Sequence, residues 1–318
     1  MECPRLHEEL VSPGHFACPG CGETIAFRHV LHALGRNTVV VTSAGCGSVV
    51  DGYYPTTASK LPFFHCSFGT AATTAAGVKA GLEMQGNRKT TVLAWAGDGG
   101  TFDIGLQSLS GAAERNEDIL YVCYDNEAYM NTGVQRSSAT PKGAWTTTTP
   151  KGALEDRPKK NLIAILAAHE IPYIASAAVA YPGDLEGKIR RARKLQGFRF
   201  IHILSPCPPG WVYPPEKTIR IARLAVLSRL FPLFEIVNGK EYSLSPMEEK
   251  VPVTEYIRAQ GRFRNFTEED MAVLQGNVDR AWEDLAARAK KQRSEKDETE
   301  KRGIGETGER RKKNPGQE

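Results

Sequence analysis

The 318 residues carry 41% hydrophobic and 25% charged side chains, enough to bury a substantial core in one large or two modest domains. The formal charge of +4 sits in the last 31 residues, where 11 Lys and Arg face 7 Asp and Glu, while the first 287 balance at 30 against 30. That distribution excludes a basic nucleic-acid-binding face. In chain order the patterns predict helix 23–34, strand 38–42 (TVVVT), helix 70–84, strand 91–96 (TVLAWA), helix 104–115 and strand 119–124 (ILYVCY). Helix 162–169, strand 171–175, helix 185–195, strand 200–204, helix 217–229, strand 233–237 and an amphipathic helix 268–289 follow. Strands apolar throughout and separated by helices imply a three-layer α/β domain over residues 1–287, with a mostly parallel sheet flanked by helices. Residues 288–318 read as a charged, disordered tail.

No stretch approaches the roughly 20 apolar residues of a membrane span, and residues 1–10 lack the apolar run of a signal peptide. The expected compartment is the cytoplasm. There the seven cysteines stay reduced, and clustered ones serve metal binding or catalysis.

Four polar landmarks fall just past predicted strands. Cys46 follows the first, Asp98 the second, Asn126 the third and Cys207 the fifth. Ligands of open α/β sheets bind at the carboxyl edge, so the four are expected to converge on one site.

Gly97-Asp98-Gly99-Gly100 ends a strand and precedes a helix. Glycines let backbone N–H groups approach a diphosphate, and the helix start favours negative charge. Asp98 would repel phosphate unless a cation lay between them, a place that suits Mg²⁺, with Asn126, 28 positions on, as second ligand. The Rossmann fingerprint fails at Phe102, and no Gly-Lys-Ser/Thr is present for a P-loop. A plain tight turn is the alternative that the spaced Asn126 disfavours.

Cys18-Pro-Gly-Cys21 is a C-x-x-C pair in a Gly/Pro loop. Cys46 lies in Ala-Gly-Cys-Gly and Cys207 in Ser-Pro-Cys-Pro-Pro-Gly. Such loops can wrap an iron–sulfur cluster with N–H groups aimed at its sulfurs. A structural zinc or a redox dithiol on Cys18 and Cys21 remains open on spacing alone. Cys3, Cys66 and Cys123 are assigned no chemistry, Cys123 being expected in the core, and the histidines show no ligand spacing.

The segments CPGCGE, GCGS, YPTT, AGDGGTFDIG, YDNEAYMNTGVQRSSATPKGAWTTTTP and SPCPPGW, spread over residues 14–239, resemble the thiamine-diphosphate-binding β subunit of pyruvate:ferredoxin oxidoreductase (pyruvate synthase). The resemblance implies the thiamine diphosphate-binding fold. It also implies oxidative decarboxylation of pyruvate with coenzyme A to acetyl-CoA and CO₂, reversibly, with electrons passing through a [4Fe–4S] cluster to ferredoxin. By it, Cys18, Cys21, Cys46 and Cys207 would ligate the cluster, and Asp98, Asn126 and the Ala128 carbonyl would hold Mg²⁺. Glu23, Cys46, Gly97, Asp98, Gly99, Gly100, Asn126, Glu127, Ala128, Tyr129, Met130 and Asn131 would contact the cofactor, with Asn131 also facing the substrate as a catalytic group. The glutamate that activates the cofactor and the arginine that grips the substrate carboxylate would lie on a partner, so the chain would need α, γ and δ subunits or fused equivalents. Two departures bear on the substrate: Gly47-Ser48 after Cys46, where bulkier residues are commoner, and Lys142, where tyrosine is common. Both are expected near the pocket or its partner surface, leaving another 2-oxoacid, and more remotely a non-enzymatic zinc-binding α/β protein, as alternatives.

Overall fold

The computed structural model describes residues 8–150, 153–247 and 249–310, with side chains described to residue 291. Its strands are β1 (Thr38–Ser43), β2 (Phe63–Cys66), β3 (Thr91–Gly97), β4 (Leu120–Asp125), β5 (Tyr173–Ala178), β6 (Arg199–Leu204), β7 (Phe234–Val237) and β8 (Glu241–Leu244). They form one sheet in the order β2-β1-β3-β4-β6-β5-β7-β8. The first six of that order run parallel, and β7 and β8 are antiparallel.

The six expected strands are all present, and the reason is visible in their side chains. Every residue of β4, β5 and β6 is buried. Alternate residues of one strand feed opposite layers, as the two-residue period requires. Leu93, Trp95, Val122 and Tyr124 pack on the face that the Gly22–Leu34 and Pro182–Lys194 helices cover. Val92, Ala94, Tyr121 and Cys123 pack on the other, under helices Ala71–Met84, Leu106–Glu114 and Leu162–Ala167. Cys123 is therefore a core residue. A third cluster, including Trp211, Tyr256 and Phe263, seals the C-terminal segment against the end of β6.

The structure adds elements that periodicity did not reveal. Strands β2 and β8 lie at the two edges of the sheet and are only half-buried, so neither shows a continuous apolar run. Asn238 and Gly239, both with positive φ, make the β7–β8 turn, and an Asn-Gly pair is a hairpin signal. Short helices Cys46–Asp51, Pro208–Trp211 and Val253–Arg258 are too brief for a periodic signature. The last helix starts at Glu268 as expected but stays helical to Arg310, past the 288 boundary where the disordered tail was placed. Residues 286–302 contain no Gly or Pro and are rich in Ala, Lys, Arg and Glu, which carry the helix onward. Residues 311–318 and Cys3 lie outside the described residues. Among the described residues no helix is long and apolar enough to cross a membrane.

Candidate active site

Strands β1, β3, β4 and β6 are consecutive in the sheet, so the loops leaving their carboxyl ends are neighbours. Those loops carry Cys46, Asp98, Asn126 and Cys207. Two cavities open among them. A cleft of about 180 Å³ is bordered by Cys46, Gly97 to Gly100 and the segment from Asn126 to Thr132, Glu127 excepted. A smaller cavity of about 70 Å³ is bordered by Cys18, Cys21, Cys46 and Cys207. Cys46, Asn126 and Asn131 line both. One sulfur and two amides thus separate the two spaces.

In the cleft, the chain turns straight from β3 into a π-helical turn, Gly99–Asp103. Such turns are rare and concentrate at functional sites. A Cβ on Gly99 would stand 2.4 Å from the Tyr129 ring, so only glycine admits that ring, whose hydroxyl donates to Asp103 Oδ2 at 2.9 Å. Where Gly100 would carry a Cβ, Ser43 Oγ lies 3.2 Å away, buried and without a partner. A cradle of bare backbone with an orphaned hydroxyl fits a phosphate group.

The Asn126 amide oxygen lies 2.9 Å from the Ala128 carbonyl oxygen and 3.0 Å from Asp98 Oδ1. The Asn126 oxygen therefore faces two other acceptors. Turning the amide over would convert these approaches into two hydrogen bonds, whereas a small cation would satisfy all three oxygens at once. Adjacent ligands of an octahedral Mg²⁺ at 2.0–2.1 Å lie about 2.9 Å apart, close to the two approaches of the Asn126 oxygen. Asp98 is buried, accepts a hydrogen bond from Ser137 Oγ, and has its pKa pushed well above the carboxylate range by burial and then by nearby Asp125. Such a buried carboxyl is a fitting cation ligand. For Asp125 itself burial would raise the pKa, but Lys159 and His202 outweigh it and hold it at about 2.

The thiol cavity depends on a close approach at Gly22. A Cβ there would stand 2.7 Å from Pro206 N and O, and the Gly22 N–H donates to Pro206 O at 3.1 Å. That contact docks the Cys21 loop on the residue before Cys207. All six described cysteines are free thiols. Burial raises the pKa of Cys21 to about 11, with Glu23 adding to it, and that of Cys207 to about 12. Such thiols stay protonated until a metal displaces the proton. Among the described residues no three His, Cys, Asp or Glu side chains close on a single point. The four cysteines instead line one small cavity together.

Glu23 borders the thiol cavity beside Cys46, the residue that also lines the cleft. Its Oε1 accepts from Trp95 Nε1 at 3.1 Å, its Oε2 has no partner, and burial lifts its pKa to about 8. A carboxyl with a raised folded pKa keeps its proton when the unfolded chain has lost it, so stability falls as pH rises from about 4.5 to about 8. Glu23→Gln is expected to remove that slope, at most about 1.4 kcal/mol per pH unit. Urea unfolding of the metal-free chain at pH 5 and pH 8 checks it. An unchanged slope would mean that Glu23 is ionised throughout.

Other expected contacts divide clearly. Gly97, Asp98, Gly99, Gly100, Asn126, Ala128, Tyr129, Met130 and Asn131 all border the cleft. The Glu127 side chain does not. Its φ of 65° points it backwards into ion pairs with Lys159 and Arg262, beside a separate cavity of about 530 Å³. Lys142 also borders that separate cavity. Gly47 packs beneath Trp95 and Thr42, and neither it nor Ser48 lines the cleft. Gly47 thus sits one residue behind the cleft wall at Cys46, and Lys142 on the separate cavity. Ser137, Phe68 and Tyr124 were missed. Ser137 holds Asp98, Phe68 borders the cleft, and the Tyr124 hydroxyl accepts from Gly47 N at 3.0 Å. The run Ser137-Ser138 beside the Asn126 loop was the available signal for the first.

Residues 43–203 match the family described as thiamine pyrophosphate enzyme, C-terminal TPP binding domain. Fold and site together define a thiamine-diphosphate enzyme of the α/β class. The chain is 50% identical over 289 residues to the pyruvate synthase subunit PorB of Methanothermobacter marburgensis, covering 90% of this chain and 99% of that one. It is 49% identical over 289 residues to the ketoisovalerate oxidoreductase subunit VorB of Pyrococcus abyssi, covering 87% and 93%. In fold it is similar to a solved 2-oxoglutarate:ferredoxin oxidoreductase from Magnetococcus marinus, with a TM-score of 0.55 and 22% identity over 67% of this chain and 79% of that one. The chain belongs to the 2-oxoacid:ferredoxin oxidoreductase family, as its β subunit.

Proposed function

We propose that this chain is the catalytic β subunit for oxidative decarboxylation of pyruvate with coenzyme A, reversibly, in a complex with α, γ and δ subunits or fused equivalents and with ferredoxin as electron acceptor. When bound, thiamine diphosphate supplies the carbon nucleophile and electron sink for the 2-oxoacid, and a [4Fe–4S] cluster takes up the electrons. Asp98, Asn126 and the Ala128 carbonyl would hold Mg²⁺ against the diphosphate, and the Gly97–Gly100 backbone would receive its oxygens. Cys18, Cys21, Cys46 and Cys207 would hold the cluster. Asn131, on the wall between the two cavities, would present its amide to cofactor and substrate together.

The observation that carries the reading is the shared wall. Because Cys46, Asn126 and Asn131 border both cavities, a cluster in one would lie beside a cofactor in the other. Support for a covering partner comes from the apolar side chains left open near the site: Phe16 is 62% exposed, Phe68 38%, and Tyr54 in the adjoining YPTT segment 91%.

The test is metal and sulfide analysis followed by a substrate screen of the reconstituted complex. About four irons with acid-labile sulfide per chain are expected, and one zinc without sulfide would end the proposal. Near-equal identity to PorB and VorB relatives favours a second reading, a branched 2-oxoacid. A pocket fitted to a methyl group discriminates against added carbons by roughly 10- to 200-fold. A kcat/KM for pyruvate above that for 2-oxoisovalerate is therefore expected, and the reverse order would transfer the assignment to the second reading.

A further inference from the structure

Arg262 lies on a short turn, Gly261–Phe263, outside the residues 43–203 that match the family. It is 2% exposed, yet charged. One terminal nitrogen of its guanidinium pairs with Glu127 Oε2 at 2.6 Å and reaches the Tyr256 hydroxyl at 3.0 Å; its Nε donates to Gln260 Oε1 at 2.9 Å. The centre of the group lies 3.7 Å from the Trp211 ring. Trp211 in turn donates its Nε1–H to the Asn126 carbonyl at 2.7 Å.

These contacts close a circuit. Glu127, with left-handed backbone, stands between Asn126, whose side-chain oxygen approaches Asp98 Oδ1, and Ala128, whose carbonyl approaches that same Asn126 oxygen. Trp211 stands four residues after Cys207, and its own backbone N–H donates to the Cys207 carbonyl at 2.8 Å. The backbone of the turn is fixed as well: Trp145 N donates to Arg262 O at 2.8 Å and Gly261 N to Val212 O at 2.9 Å. Lys159, the other cation on Glu127, makes no such link to the cysteine loop. We propose that Arg262 is a positioning residue that fixes the cation-facing Asn126–Ala128 turn and the Cys207 loop relative to one another, so that the geometry of the two cofactor sites is set by one guanidinium. This rests on the reading of Mg²⁺–thiamine diphosphate and a cluster given above.

The guanidinium acts in two ways that a lysine separates. An ammonium can pair with Glu127 but cannot lie flat over an indole with the same fixed fork. In the reconstituted complex, Arg262→Gln is expected to weaken Mg²⁺-dependent thiamine diphosphate binding by about 10- to 100-fold, the range typical of partners that orient a metal ligand, and to alter the electron paramagnetic resonance signal of the reduced cluster. Arg262→Lys is expected to recover most of the cofactor affinity while the cluster signal stays altered. A merely structural role would move both readouts in parallel with thermal stability in both variants. Parallel loss, or an Arg262→Gln complex with wild-type affinity and signal, overturns the proposal. Should Arg262→Gln fail to fold, Trp211→Phe carries the test: it keeps an aromatic face but loses the N–H to Asn126, and unchanged cofactor affinity would overturn the proposal. The wild-type complex is measured first. If it binds no thiamine diphosphate or carries no iron, the functional reading fails; if it does both and the variants do not differ from it, only the role of Arg262 fails.

Discussion

Asp98→Ala is expected to abolish Mg²⁺-dependent thiamine diphosphate binding, weakening it by more than about 100-fold, while iron content stays at the wild-type level. Partners that only orient a metal ligand contribute up to about 100-fold, and Asp98 would be the ligand itself. It supplies the single carboxylate among three converging oxygens, the other two being neutral amide and carbonyl groups. Without it the site cannot balance a divalent charge in a buried place. The substitution also removes a buried acid that stands beside Asp125, so the metal-free chain is not expected to lose much stability. Cofactor titration at fixed Mg²⁺, with iron and sulfide measured on the same sample, decides the matter. Affinity within a few-fold of wild type would show that the cation is held elsewhere.

Cys207→Ala is expected to do the converse. Iron and sulfide should fall from about four of each to almost none, because a cubane cluster needs four ligands and this one closes the cage. Cys207 borders the thiol cavity and not the cleft, so Mg²⁺-dependent thiamine diphosphate binding should persist. Electron transfer to an external acceptor would then be lost with the cofactor still bound. Full iron content in this variant would place the fourth ligand on another residue. Together the two substitutions separate the cavities chemically, and Cys46, which borders both, is the position where a single change should damage both functions.

The central strands were legible because β4, β5 and β6 are buried on both faces and are predominantly apolar. Edge strands β2 and β8 were not, since each is half-open to solvent and carries polar side chains. Asp98 and Asn126 could be placed because the position just past a parallel strand is fixed by topology. The direction of the Glu127 side chain could not. It follows from a backbone φ of 65° that no residue type announces, and the side chain enters an ion pair with Arg262. The surroundings of Glu23 were equally hidden: its helix begins at Gly22, which places it beside Cys46 and Trp95. Arg262 was invisible because its partner Glu127 stands 135 positions earlier, with no periodic or motif signal between them.

The insertion of β6 between β4 and β5 has a consequence for biogenesis. The last cysteine emerges from the ribosome only with that strand, after β5 has already been synthesised, and β5 cannot join β4 directly. A nascent chain ending before Arg199 thus lacks both the middle of the sheet and the Cys207 side of the thiol cavity. On the function proposed above, cluster insertion would follow synthesis of most of the polypeptide, since fragments ending before β6 would lack the Cys207 ligand.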